Sequence, residues 1–540
     1  MRPVRWLVAL GFFAAAPSAF AQSDAEIVSV INRHIAQGWQ DNGIEPSPRA
    51  DDGEYARRVS LDVVGTIPPL ADLLDLLGDE SDQRRARFVD KLLDDPRYAE
   101  NWANIWANLL IGRANRRNQG VRDDLERWLK GAFTRNLAYD KFTFELVSAT
   151  GNSEQNGAAA FLASHLNDNA VPATAITARL FLGLQVQCTQ CHNHPFNDWK
   201  QSQFWSMNAF FRGTRRQNVN GRNSVTLSDS PAEAVVFFEK RNGTMEASLR
   251  RFVDGTSPST ATDQPRTQLA LLITSDDQPY LSQAIVNRMW GHFLGTGFTR
   301  PVDDMGPHNP PSHPELLAYL AGQFRTSGYD LKRLIRWITL SDAYNLTSRA
   351  TDANRDDDPA TGGTPMFTHV LVKPFTAEQL YDSLLVATAA HKAGRNFQQS
   401  EQKRGEWLQQ FVQAFGTDEN DETSSFNGTV PQALVLMNGE LVRSAIGGEK
   451  GSFLRTVYEG DLPEWAAAKK TKALKNLPSL KTLGGKIEVL YLTALSRRPS
   501  PGEVRSLESA YQRAGGRNPI AAFQDVYWAI LNSNEFILNH

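Results

Sequence analysis

Residues 88–109, FVDKLLDDPRYAENWANIWANL, indicate the fold class most clearly. Apolar side chains recur there at helical spacing in two runs: Phe88, Val89, Leu92 and Leu93, then Trp102, Ile105, Trp106 and Leu109. Pro96 lies between the runs, where it ends the first helix and suits the first position of the second. Stripes of this kind are typical of packed helices, so we interpret both as core and not as the lining of a cofactor site.

The same pattern continues along the chain. Pro172 is placed to open a helix with an apolar face, and three pairs have the spacing of capping boxes: Ser312 with Glu315, Thr376 with Gln379, and Ser500 with Glu503. Residues 215–265 differ, because VTL at 225–227 and VVFF at 235–238 are typical of strands. The sequence therefore predicts a mainly α fold, with two helical domains and a small β-containing insertion between them.

The N-terminus has the pattern of an export signal. Arg2 and Arg5 precede an uncharged run at residues 6–16, and a small-x-small site ends at Ala21. We therefore expect a signal peptide at residues 1–21 and a lead segment at 22–50. A motif-bearing domain is expected at 51–214, an insertion and linker at 215–265, and a second helical domain at 266–540. The mature protein is expected outside the cytoplasm, in the periplasm or at the cell surface.

Composition narrows the classes of partner. The chain has 540 residues, of which 57 are basic and 60 acidic, so its formal net charge of -3 does not favour nucleic acid or anionic lipid. After the signal segment, no apolar run approaches the ~20 residues that a membrane helix needs. Only two cysteines are present, both in one short stretch, so they cannot link distant segments. The stability of the fold must therefore come from packing. We also expect no membrane-spanning helix after signal cleavage.

The two cysteines belong to a motif that can carry chemistry. Residues 188–194 read CTQCHNH and are followed by Pro195. On one helical turn, Cys188, Cys191 and His192 face the same way, as covalent attachment of haem c requires. The two thiols would bond the vinyl groups, and His192 would bind the iron as axial ligand. Pro195 disfavours helix at His194, so the turn should close directly after the motif.

Three alternatives to haem remain open. The first is a disulfide between Cys188 and Cys191, structural or redox-active. The second is a zinc or iron site formed by Cys188, Cys191, His192 and His194. The third is a structural loop without a cofactor. A zinc ribbon would normally bring a second cysteine pair, and a thioredoxin-like motif needs a βαβ setting, whereas this segment is predicted to be helical.

A second axial ligand on the far side of the haem is harder to assign. His194 lies too close to His192 in sequence to reach the opposite face of the same haem. We favour either Met207 as this ligand or an open position. Met207 lies in an apolar helical stripe that is also typical of the hydrophobic core. His165 and Met245 are less favoured, because the first lies in a segment of unclear structure and the second in the insertion.

Several segments resemble known families. RVSLDVVGTIP at 58–68, LLDDPRY at 92–98 and CTQCHNHPF at 188–196 resemble the planctomycete-type cytochrome c-like domain. VNRMW at 286–290, DDMG at 303–306 and PSHPELL at 311–317 resemble its usual partner domain, as do PQAL at 431–434, RRP at 497–499 and LNSNEF at 531–536. Both are domains of unknown function. The resemblance therefore implies the domain order and, through the motif, a cytochrome-like first domain.

A polar loop is the second place where function could reside. Asp303, Asp304, His308, Asn309 and His313 fall within eleven residues between two predicted helices. They could hold a metal ion or polar ligand, although Asp and Asn near proline are also ordinary turn formers. Two functions follow from the sequence. One is an exported haem protein that transfers electrons to or from an unknown redox partner, and the other is a haem-free binding or scaffold protein.

Overall fold

A computed structural model describes residues 22–113, 119–219, 224–230, 235–259, 262–389, 446–514 and 518–540. The predicted signal peptide and the PQAL segment at 431–434 lie outside these residues. Within them helices dominate and strands are few and short, which confirms a mainly α fold with a small β-containing insertion. No helix of the described segments is long and apolar enough to cross a membrane.

Ten α-helices precede the insertion in the described part of the first half. They are α1 (Asp24–Asn42), α2 (Asp52–Val64), α3 (Leu70–Gly78), α4 (Arg84–Asp94), α5 (Pro96–Ile111), α6 (Gln119–Thr134), α7 (Tyr139–Ser148), α8 (Ala159–Ala163), α9 (Asn167–Thr177) and α10 (Gln201–Asn208). A π-helical turn, Ala178–Leu182, follows α9, and a 3₁₀ turn, Gln187–Gln190, precedes α10.

Ten further α-helices lie in the described part of the second half. They are α11 (Pro265–Ile273), α12 (Tyr280–Leu294), α13 (Pro314–Thr326), α14 (Leu331–Leu340), α15 (Ala377–Thr388), α16 (Phe453–Glu459), α17 (Pro463–Ala468), α18 (Leu483–Leu495), α19 (Pro501–Ala514) and α20 (Pro519–Leu531). A short 3₁₀ turn, Pro359–Thr361, lies in the exposed loop before α15.

The strands of the described segments form three small antiparallel sheets. In the insertion, β2 (Thr214–Asn218) pairs with β3 (Val225–Asp229), which also pairs with β1 (Gly151–Asn152). β4 (Val235–Glu239) and β5 (Met245–Leu249) form a hairpin whose inner face packs on α10 through the stacked rings of Phe238 and Trp205. β6 (Lys373–Pro374) pairs with β7 (Leu538–Asn539), next to the C-terminus.

Helix boundaries mostly follow the sequence signals. Pro96 begins α5, and the Asp95 carboxylate accepts a hydrogen bond from the backbone N–H of Arg97 at 2.8 Å. The capping boxes at Thr376 and Ser500 are present. The box predicted at Ser312 was wrong: His313 is the N-cap of α13, and the Ser312 hydroxyl bonds the His313 ring at 2.9 Å. Pro314 then takes the first helical position.

Helix α2 joins the two halves of the sequence. Eleven of its thirteen residues are buried, among them two arginines and an aspartate. Arg57 donates to the backbone carbonyls of Ala494 and Phe536, and Asp62 accepts from Lys373, whose Nζ lies 2.6 Å away. Buried residues from both sides of the insertion form one continuous hydrophobic cluster. The two halves therefore share a core through which α2 runs.

Candidate functional site

The Cys-x-x-Cys-His motif lies on a tight surface turn. Cys188 falls inside the 3₁₀ turn Gln187–Gln190, and Cys191 directly follows it. A 3₁₀ helix has three residues per turn, so positions i and i+3 eclipse and the two cysteines share a face. Both are exposed free thiols. The α-helical turn expected from the sequence is thus a shorter 3₁₀ turn, which keeps the two cysteines on one face but ends before His192.

His192 has one ring nitrogen committed and the other available. Its Nδ1 lies 2.7 Å from the backbone oxygen of Asn193. A carbonyl oxygen only accepts, so Nδ1 carries the proton and the lone pair resides on Nε2. Metal-binding histidines commonly hold their second nitrogen to a carbonyl in this way, which fixes the tautomer and the ring orientation. Because His192 is exposed, its Nε2 is in a position to bind a metal ion.

Helix α10 holds the turn in place. The carbonyl of Gln190 accepts hydrogen bonds from Gln201 Nε2 and Trp205 Nε1, each at 3.1 Å. The backbone N–H of Gln201 donates to Asn193 Oδ1 at 3.0 Å. The 3₁₀ turn ends at Gln190, inside the motif and earlier than the predicted closure directly after His192, and the chain beyond the motif is irregular. The backbone around both cysteines is therefore fixed, while their side chains remain exposed.

The candidate distal ligands lie in different surroundings. Gln201 and Trp205, four residues apart, define the face of α10 that meets the turn. Met207 lies two residues beyond Trp205, which places it about 200° around the helix. It is 1% exposed and packs in the hydrophobic core. His165 Nε2 lies 2.7 Å from the carbonyl oxygen of Leu110, and Met245 is exposed on β5.

The predicted polar loop packs directly against the segment that carries the motif. The backbone N–H of Met305 donates to the carbonyl of Gly183 at 2.8 Å, and Gln185 Nε2 donates to Asp303 Oδ1 at 2.9 Å. Farther along, the rings of His194 and His308 lie 5.6 Å apart. Partial burial and the neighbouring His308 lower the pKa of His194. The motif and the loop thus form one surface, although more than a hundred residues separate them.

The five polar residues of that loop do not act together. His308 Nε2 lies 3.1 Å from Asp304 Oδ1, and Asn309 donates to the carbonyl of Asp304, as expected of a turn former. His313 is buried against the rings of Phe298 and Phe367. Among the described residues, no group of three or more His, Cys, Asp or Glu side chains is arranged to hold a metal ion. Of the five, Asp303 and Asn309 line a large cavity.

This cavity has a volume of about 1240 Å³ and lies between α5, α9, α12 and the loops at 295–303 and 362–365. In the α5 stripe, which the sequence predicts to be core, Trp102 and Trp106 are buried, and both also line the cavity. Ile105 and Leu109 are half-buried and contribute to the cavity wall. Gln187 lines the cavity next to the motif, but Cys188, Cys191 and His192 do not.

Sequence reasoning missed the polar side of the cavity. Asp303 Oδ2 lies 3.7 Å from Arg179 Nε and 3.8 Å from Arg288 Nη2. Arg288 and Asp303 both belong to segments that carry the partner-domain resemblance, VNRMW and DDMG. Arg179 lies in the π-helical turn, a conformation often found at functional sites, which no pattern in the sequence indicated.

The described residues thus form a mainly helical protein with a Cys-x-x-Cys-His turn close to a large cavity. Family models then identify its parts: PSCyt2, a protein of unknown function (DUF1549), matches residues 30–216, and PSD1, a protein of unknown function (DUF1553), matches residues 265–511. The chain belongs to the family that carries these two domains in this order, as the sequence resemblance predicted. No curated protein and no solved structure match it.

Proposed function

We propose that this chain is an exported bacterial protein that binds haem c through Cys188, Cys191 and His192 and transfers electrons at its surface. The carrying observation is that Cys188 and Cys191 share a face of a 3₁₀ turn and that His192 directly follows Cys191. Both thiols are exposed, and the His192 ring is held through Nδ1 so that Nε2 can bind iron. When bound, haem would supply one-electron redox chemistry, with a potential set by its ligands and surroundings.

The residues present fit such a group. The cysteines share a face of the turn and are accessible to an attachment enzyme. Phe196, four residues after His192, is 80% exposed and offers apolar surface beside the motif. Because the turn lies at the surface, a redox partner could approach a group attached there, which supports electron transfer. The export predicted from the N-terminal sequence is consistent with it, because c-type haem is attached on the far side of the bacterial inner membrane.

Mass spectrometry after expression with haem-attachment machinery tests this proposal. We expect the mature chain to begin at Gln22 and to carry the mass of one haem that survives denaturation. The double variant Cys188→Ser/Cys191→Ser should lack the adduct and keep its helix content. A mature chain with the bare polypeptide mass would contradict haem attachment, and a soluble, folded chain beginning at Met1 would contradict export.

The axial ligands can be tested separately. His192→Ala should retain the thioether bonds but change the visible spectrum, because the proximal imidazole is lost. Met207→Leu preserves the packed volume and removes the thioether sulfur. The position of Met207 on the far side of α10 favours an open distal site, so we expect an unchanged spectrum in both redox states. A spectral change in Met207→Leu would instead identify this residue as the distal ligand.

The haem-free alternative makes a different prediction for the same protein. If the cysteines form a disulfide, alkylation of the untreated chain would label neither thiol, whereas reduction would expose both. A metal clip would require Cys188, Cys191, His192 and His194 to converge, and the described residues contain no such group.

A further inference from the structure

The large cavity near the motif has the walls of a binding site for an organic molecule. Binding sites for small molecules usually measure roughly 300–1,000 Å³ and combine apolar walls with a few placed polar groups. This one measures about 1240 Å³. Half-buried side chains give it two aliphatic strips: Ile105 and Leu109 on α5, and Pro172 and Ile176 on α9. The members of each strip are four residues apart, so they lie on one face of their helix.

Two histidines supply polar groups to the same cavity. His165 Nε2 lies 2.7 Å from the carbonyl oxygen of Leu110, and His292 Nε2 lies 3.1 Å from the carbonyl oxygen of Asp62. Burial lowers the pKa of both rings, so each ring is neutral at pH 7. Because a carbonyl oxygen only accepts, Nε2 carries the proton in each ring and Nδ1 has the lone pair.

The Nδ1 atoms of these two rings are not used by the fold. Among the described residues, no group donates a hydrogen bond to His165 Nδ1 or His292 Nδ1. The buried ring nitrogens without a partner include Nδ1 of His308 and of His369, but neither of these two atoms. Both lone pairs are therefore accessible. Since both rings line the cavity, a molecule inside it can donate hydrogen bonds to them.

The two histidines lie towards opposite ends of the α5 strip. His292 packs on Trp102, with ring centroids 5.0 Å apart, whereas His165 is bonded to the carbonyl of Leu110. Trp102 and Leu110 are eight residues apart on α5, which corresponds to a rise of about 12 Å along an α-helix. The cavity wall thus offers one acceptor, an aliphatic strip and a second acceptor in that order.

We propose that this cavity binds an elongated, uncharged organic molecule with a hydroxyl or amide N–H donor near each end. The donors bond the Nδ1 atoms of His165 and His292, and the apolar body between them lies along the α5 strip. The ligand is distinct from a haem attached at the motif, because none of the three motif side chains lines the cavity. This site goes beyond the proposed electron-transfer function and does not depend on it.

A pair of fluorescent probes tests the proposal in the full chain expressed without haem-attachment machinery. 4,4′-Dihydroxystilbene is a rigid, uncharged aromatic molecule with a hydroxyl group at each end, and its dimethyl ether has the same body without a donor. Fluorescence titration measures the affinity of each probe. We expect the diol to bind about tenfold more tightly than the ether, because only the diol forms the two hydrogen bonds.

Glutamine variants remove the acceptors one at a time. In His165→Gln and His292→Gln an amide N–H can still donate to the carbonyl that Nε2 bonds, but the Nδ1 lone pair is lost. Each variant should weaken binding of the diol about fivefold and change binding of the ether less than about twofold. His165→Asn makes the opposite change, because its amide oxygen takes the place of Nδ1, so the preference for the diol should survive.

Two further variants locate the site. Ile105→Trp fills the apolar wall of the cavity and should weaken both probes. His34→Gln changes a half-buried histidine on α1 and should leave both probes unaffected, because His34 lies outside the cavity. Equal affinities for the diol and the ether, unchanged diol binding in both cavity glutamine variants, or loss of binding in His34→Gln would each overturn the proposal. Circular dichroism of every variant verifies that the helices are intact.

Discussion

Helix α2 and the Cys-x-x-Cys-His turn both carry the family resemblance, yet they differ in burial and in the contacts of their polar side chains. In α2 eleven of thirteen residues are buried, and its charged side chains bond to backbone and side chains from the second half. In the turn, both thiols and the His192 ring are exposed. A family-typical segment can therefore serve packing alone, whereas another offers reactive atoms to solvent. Substitutions in the two regions should separate stability from chemistry.

The largest effect on stability is expected at Asp62. This buried carboxylate accepts hydrogen bonds from Lys373 Nζ at 2.6 Å, Tyr344 Oη at 2.8 Å and Asn539 Nδ2 at 2.7 Å. Asp62→Ala leaves all three donors without this acceptor and should lower the free energy of unfolding by about 3 kcal/mol. Chemical denaturation measures this.

The matched control is Asp94→Ala, since Asp94 is 85% exposed and pairs with Lys332 at 3.5 Å. Its loss should change the free energy of unfolding by less than about 0.5 kcal/mol. Similar losses in the two variants would show that α2 does not stabilise the shared core as its contacts indicate.

A pH-dependent effect is expected at His313. Burial, together with nearby His34, lowers the pKa of His313 to about 4, against an ordinary value of about 6.5. Between pH 6.5 and pH 4, His313 binds a proton more readily in the unfolded chain than in the folded chain. The stability contributed by the neutral ring is therefore lost as pH falls. Between pH 7 and pH 5 this loss should be about 2 kcal/mol.

His313→Leu should remove that part of the pH dependence. Denaturation at pH 5, 6, 7 and 8 compares the unfolding free energies of the two proteins. The difference between them should shrink by about 2 kcal/mol as the pH falls from 7 to 5. The difference between them should stay constant between pH 7 and pH 8. If it stays constant down to pH 5 as well, His313 is not held neutral by the fold.

A smaller effect is expected at Gly183, which leads from the π-helical turn to the motif. Its φ of +67° lies in the left-handed region, and a Cβ there would lie 2.5 Å from Met305 Cε. Gly183→Ala should cost about 1–2 kcal/mol. Gly362→Ala is the control, because Gly362 also has a positive φ but a Cβ added there would have no atom within 4 Å. Equal costs in thermal unfolding would mean that the contact with Met305 does not matter.

The smallest effect on stability is expected for substitutions in the Cys-x-x-Cys-His turn. Cys188→Ser/Cys191→Ser changes two exposed side chains, so the free energy of unfolding of the haem-free chain should change by less than about 0.5 kcal/mol. The same substitutions should remove all covalent haem from protein made with attachment machinery. Denaturation of the haem-free chains measures the first quantity and mass spectrometry the second. A large loss of stability would assign these cysteines a structural role.

Local sequence patterns were sufficient to predict the helices and the β-containing insertion and to identify the Cys-x-x-Cys-His motif. The stripe from Phe88 to Leu93, Pro96 at the start of α5 and the capping box at Thr376 depend on neighbours within one or two helical turns. Such short-range preferences are visible in one sequence. Ser312 shows their limit, because its hydroxyl bonds the His313 ring in the folded chain instead of capping α13.

The sequence by itself determined a mainly helical chain of two family domains and a turn that brings Cys188 and Cys191 to one face. Only the tertiary structure decided that α2 would be buried between the halves and that the loop at Asp303 would pack on the motif segment. It also decided that Arg179, Arg288 and Asp303 would meet at one cavity, with Ile105 in its wall. The physical reason is distance along the chain: contacts between residues a hundred or more positions apart form through packing of whole helices, which no local spacing encodes.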